Sequence, residues 1–97
     1  MFIAATNTVT IYALPGHANV VSPLLFEIAE TLRDIAGCIS YTAVQSHYDP
    51  DLWIVTGHWK TQSQMTEHFN SSAHDKYAEL LNSKAIRSLE FNCQSFD

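Results

Sequence analysis

The chain has 97 residues and a mass of 10.9 kDa, and a chain of that size can bury roughly two-thirds of its open surface in one core, which allows a single domain over residues 1–97 and not two. Apolar residues make up 46% and charged residues 15%, too hydrophobic for a disordered chain, yet no apolar run approaches the roughly 20 residues that cross a bilayer. Five Lys and Arg against ten Asp and Glu leave a formal charge of −5 with no basic stripe, so neither nucleic acid nor an anionic membrane is expected as a partner.

Met1 to Thr6 carries no basic segment followed by an apolar one, so no export signal is read there and the expected compartment is the cytoplasm. Asn7 to Leu14 alternates, with Val9, Ile11 and Ala13 on one face and Thr8, Thr10 and Tyr12 on the other, which predicts a strand ended by Pro15-Gly16. From Asn19 to Asp34 the apolar positions Leu24, Leu25, Ile28, Leu32 and Ile35 recur at intervals of three and four, predicting an amphipathic helix. Asn19 is the expected N-cap, with Pro23 in the first turn and Gly37 as the stop.

Cys38 to His47 and Leu52 to Trp59 are β-rich on either side of Tyr48-Asp49-Pro50-Asp51, a hairpin pattern. Thr61 with Gln64 forms a capping box, and the helix it opens carries Met65, His68, Phe69 and Ser72 on its inner face. A second box, Ser72 with Asp75, predicts a break near Asn70 and a restart to about Ser83 with Tyr77, Leu80 and Leu81 inward. Leu89, Phe91 and Cys93 then alternate with Glu90, Asn92 and Gln94 in a closing strand.

The order strand, helix, strand, strand, helix, strand predicts an α+β domain with a four-stranded sheet and its helices on one face. Residues such as Trp53 and Val55, or Leu52 and Ile54, make both faces apolar. A second copy of the chain is the simplest cover for the face without helices. Cys38 and Cys93 stand 55 residues apart, outside any metal spacing, and are expected to be reduced, buried and structural.

Phosphate loops, nucleophile elbows and zinc signatures are absent from the chain. His58, His68 and His74 are close in sequence but lack an inward carboxylate, so no metal site is expected. His68 is the residue of interest, because the pattern that buries Met65 and Phe69 turns it toward the sheet. There it is either a proton-handling group or a core histidine bonded to a backbone carbonyl. Asn7 shares the parity of Val9 and Ile11 and brings an amide into the same apolar interior, where it either holds an oxyanion or is satisfied by backbone. Trp59, at the end of its strand, should lie under the second helix.

Ala36-Gly37-Cys38-Ile39-Ser40-Tyr41 after an amphipathic helix, the Asp49-Pro50 turn, and His58-Trp59-Lys60-Thr61 with His68 nine residues beyond the tryptophan resemble the antibiotic biosynthesis monooxygenase domain, over a core from Asn7 to Phe96. The resemblance implies a ferredoxin-like subunit that pairs through its sheet into a dimeric α/β barrel. It also implies a pocket between sheet and helices, where Asn7, Trp59 and His68 would meet. Haem-degrading members share Asn7 but have a tryptophan at the position of His68 and a histidine at that of Ala78, so their axial ligand is missing here. His68 instead matches the quinol-oxidising and isomerase-like branches. Gly57 stands where an acidic residue is usual and Ser72 where a proline is.

The expected activity is a cofactor-independent oxidation of a small phenolic or quinol substrate by molecular oxygen, with His68 as base, Asn7 on the oxyanion, Trp59 as an aromatic wall, and Tyr12, Tyr41 and His74 as further pocket residues. The alternative is a dimeric domain that binds a small aromatic metabolite without reaction.

Overall fold

A computed structural model describes residues 2–96. Strand β1 (Ala5–Ala13) is followed by helix α1 (Ala18–Arg33), the hairpin β2 (Cys38–Gln45) and β3 (Leu52–Trp59), helix α2 (Gln62–Phe69), a short 3₁₀ turn (Ser72–Asp75), helix α3 (Lys76–Asn82) and β4 (Ile86–Ser95). The strands form one antiparallel sheet in the order β2-β3-β1-β4, so the predicted α+β ferredoxin-like architecture is the observed one.

Strict alternation places Ala5, Asn7, Val9, Ile11 and Ala13 of β1 on the buried face, opposite Trp59, Gly57, Val55 and Trp53 of β3. Val21, Leu25, Ile28, Ala29 and Leu32 of α1 close over that face. Apolar burial on this scale is worth roughly 1.5–3 kcal/mol for each large side chain, and it dominates the fold. The other face carries Thr6, Thr8, Thr10 and Tyr12 of β1 beside Leu52, Ile54, Thr56 and His58 of β3, a mixed threonine and aliphatic surface. It is thus less apolar than the sequence reading has it, although Ile54 and Val44 remain exposed on it.

Several local expectations are corrected. The cap of helix α1 falls two residues early, at His17, whose side chain makes no cap hydrogen bond, so Asn19 lies within the helix and Pro23 falls beyond the first turn. Thr61 does cap α2, its hydroxyl accepting from the Gln64 backbone N–H. The restart uses Ser71, not Ser72, as its cap, its Oγ accepting from the His74 backbone N–H. Because the intervening turn is 3₁₀, with three residues per turn, the angular register of α3 is reset. Tyr77 and Leu80 turn inward, but Leu81 is 54% exposed.

Cys38 is half-buried and Cys93 exposed, both as free thiols, which corrects the expectation that both are buried. The reason is topological. The helices cover β1, β2 and β3, while β4 lies at the sheet edge. Its inward residue Phe91 is therefore 48% exposed.

Candidate active site

Antiparallel register aligns Tyr41, Gly57, Asn7 and Cys93 in one row across the four strands. Asn7 is 1% exposed and anchored at both ends of its amide. The Trp59 indole, a donor only, gives its Nε1–H to Asn7 Oδ1 at 2.7 Å, and this fixes which end is oxygen. Asn7 Nδ2 then donates to the Tyr41 hydroxyl at 3.0 Å. The Tyr41 and Tyr77 hydroxyls share a hydrogen bond of 2.9 Å. One N–H of Asn7 is left over.

Gly57 makes this row possible. A Cβ there would stand 2.4 Å from Asn7 Oδ1 and 2.6 Å from Tyr41 Cε2, inside any tolerable contact. The phenol of Tyr41 thus occupies the space that an acidic side chain at position 57 would need.

His68 is 1% exposed and stacks on Trp59, with ring centroids 4.3 Å apart. Its Nδ1 is bonded to the Met65 carbonyl, and because a carbonyl only accepts, Nδ1 carries the proton and Nε2 the lone pair. That Nε2 is buried without a partner. Burial pushes the His68 imidazole down from 6.5 to about 4; the bond to Met65 opposes the shift and nearby His74 adds to it. Of the two sequence readings, the core histidine bonded to a backbone carbonyl describes Nδ1, while Nε2 is left as a neutral acceptor.

The His74 ring lies 5.2 Å from that of His68 and touches Phe69, Tyr77 and Phe91. Its Nε2 is also buried and unpartnered, and burial lowers its basicity, partly offset by Asp75.

Beside this cluster is a cavity of about 290 Å³ lined by Asn7, Phe69, His74, Phe91, Asn92 and Cys93. His74 and Asn7 reach its wall, whereas His68, Trp59 and Tyr41 stand behind them and Tyr12 is on the opposite face of the sheet, with Arg87 over its ring at 5.0 Å. His58 also faces away, its Nδ1 3.1 Å from Thr6 Oγ1, so the three neighbouring histidines do not converge. No group of three metal-ligating side chains forms among the described residues, and no described helix is long and apolar enough to cross a membrane.

Sequence reasoning missed Gly57, Tyr77, Phe91, Asn92 and Cys93 as site residues. Parity alone put Phe91 and Cys93 inward; their place at the cavity follows from the strand order.

A β-α-β-β-α-β subunit with its polar cluster between sheet and helices defines a ferredoxin-like domain with an open cavity beside that cluster. Residues 4–80 match the family described as antibiotic biosynthesis monooxygenase, and the chain belongs to that family. Similar solved structures include protein PA3566 from Pseudomonas aeruginosa, with 23% identity and a TM-score of 0.82 over 98% of this chain and 95% of that one. A Deinococcus radiodurans protein assigned provisionally to the same monooxygenases has 22% identity and a TM-score of 0.84 over 94% and 90% of the two chains. A conserved Bacteroides thetaiotaomicron protein of unknown function has 13% identity and a TM-score of 0.83 over 97% and 98%. These likenesses concern the fold. Among curated proteins none matches.

Proposed function

We propose that the chain is a cofactor-independent monooxygenase that binds a small, uncharged phenol in the cavity between α2, the 3₁₀ turn and β4, and oxidises it with molecular oxygen. The observation that carries the reading is the largely apolar cavity lined in part by His74, which has an unpartnered imidazole nitrogen, and by Asn7, which has one amide N–H to spare. A cavity of about 150 Å³ holds benzene, so 290 Å³ suits one or two fused rings. None of the lining side chains carries a formal charge at neutral pH in its ordinary state, which favours an uncharged ligand.

In this reading the phenol gives its proton to His74 Nε2 while the Asn7 N–H stabilises the oxyanion. The desolvated phenolate passes one electron to oxygen, and the aryloxyl radical and superoxide combine at the ring carbon opposite the hydroxyl. The imidazolium protonates the outer peroxide oxygen, and cleavage of the O–O bond as the C–H proton at that carbon leaves with the departing hydroxide releases water and gives a quinone. One oxygen atom stays in the product and one leaves as water. His68 moves from the base assigned by sequence to a neutral ring behind His74, stacked on Trp59 and edge-on to His74.

The subunit is further proposed to act as a homodimer joined through the outer sheet face, where Val44 and Ile54 are exposed. The lowered basicity of both imidazoles weakens them as proton acceptors and favours the second reading, binding without reaction. Oxygen uptake over a panel of naphthols and quinols separates the two. Turnover that falls by roughly 10² or more in His74→Ala supports the monooxygenase, and saturable binding without uptake supports the binding domain.

A further inference from the structure

Tyr41 does not line the cavity, yet its hydroxyl is the second anchor of the Asn7 amide, which does. A single hydrogen bond, from the Trp59 indole, fixes the oxygen of Asn7 but leaves the amide free to rock about that point. A second bond, from Nδ2 to Tyr41, fixes its plane and with it the direction of the remaining N–H. Tyr77 holds the Tyr41 hydroxyl from behind. Glycine at position 57 is the condition for the whole arrangement, since any side chain there would strike both Asn7 and Tyr41. Tyr41, Trp59 and Asn7 are at most 1% exposed and Tyr77 3%, so water does not compete for these bonds. Burial holds both phenols above their ordinary range, and their hydroxyl protons stay in place at physiological pH.

We propose that Tyr41, backed by Tyr77 and given room by Gly57, is a positioning residue that aims the free N–H of Asn7 at a ligand oxygen in the cavity. The proposal rests on reading Asn7 as the oxyanion donor.

Two readouts test it. In ligand-free protein the two tryptophans, Trp53 and Trp59, give two indole ¹⁵N–¹H resonances, and Trp59 reports the Asn7 bond. Tyr41→Phe should shift the Trp59 resonance and leave that of Trp53 in place. The second readout is the ionisation of bound 4-nitrophenol, followed by phenolate absorbance. His74 and Cys93 are the titratable groups lining the cavity, with Tyr77 behind them and Asp75 beside His74, and all four are unchanged in the variant. Losing an aligned N–H to an oxyanion should raise the ionisation midpoint of the bound probe by about one pH unit or more. Tyr77→Phe should move it less, in the same direction, and serves if Tyr41→Phe folds poorly.

In an Asn7→Ala background Tyr41→Phe should have no further effect on the midpoint. An unmoved Trp59 resonance, or the same midpoint shift with Asn7 already removed, would overturn the proposal. If wild-type protein fails to bind the probe, the cavity reading falls, and the Trp59 resonance alone decides the role of Tyr41.

Discussion

Replacing His68 by Phe keeps a ring on Trp59 and removes a titrating group, so it isolates what the buried imidazole does to stability. In the folded chain His68 protonates near 4 against 6.5 when free. Between those values the unfolded chain binds a proton that the folded one does not, so stability rises with pH across the window. The contribution is intact above pH 6.5 and is lost as the pH falls toward 4. A gap of about 2.5 units at about 1.4 kcal/mol each makes about 3 kcal/mol in all, of which about 2 is already lost at pH 5.

In urea, with a slope of about 1–1.5 kcal/mol per molar for a domain of this size, the wild-type midpoint should drop by about 1–2 M between pH 7 and 5 through this group alone. Measurements at one fixed protein concentration keep assembly from mixing into the midpoint. His68→Phe should start lower at pH 7, by about 1 kcal/mol for the Met65 carbonyl left without its ring donor, and then fall less steeply. Parallel curves for the two proteins would refute the assignment of His68 as a buried neutral imidazole.

Gly57→Ala should destabilise the fold by about 1–2 kcal/mol, overpacking the Asn7–Tyr41 contact while regaining some of the backbone entropy of glycine, and lower Tm by roughly 5–15 °C in calorimetry. An unchanged Tm would mean that the row across the sheet relaxes freely. Cys93, exposed at the cavity, should react with a thiol reagent well before Cys38, which is half-buried and whose thiol burial pushes up. A cavity-bound phenol should slow that labelling, and equal rates for the two thiols would contradict the exposure. Light scattering at micromolar concentration should give a dimer, with an interface of order 2,000 Å² in total on the outer sheet face; a monomer would remove the proposed pairing.

Asn7 and His68 were legible in the sequence because each shares the period of unmistakably apolar neighbours, Val9 and Ile11 on a strand, and Met65 on a helix. Their partners were not. The contact between Tyr41, Gly57 and Asn7 depends on register across three strands, including an irregularity between Cys38 and Ser40 that no local pattern announces. Leu81 was misjudged because the 3₁₀ turn after Asn70 breaks the helical period and rotates everything beyond it, whereas His74, expected as a pocket residue, lies on that turn and lines the cavity. Tyr12 follows the strand alternation, but which face meets the helices decides whether it can reach the site, and that face is the one with Asn7. Cys93 has the inward parity of a core residue and is exposed because β4 is the edge strand that the helices leave uncovered.

Oxygen insertion into a neutral phenol at the cavity lined by Asn7 and His74 is the reaction proposed for this chain. Incubating the wild-type protein with 1-naphthol under ¹⁸O₂ and weighing the product tests it most directly. The expected product is 1,4-naphthoquinone carrying one labelled oxygen, with the other label in water, its formation slowed by roughly 10² or more in His74→Ala. Binding of 1-naphthol with no labelled product, or labelled product formed equally well by the variant, would contradict it.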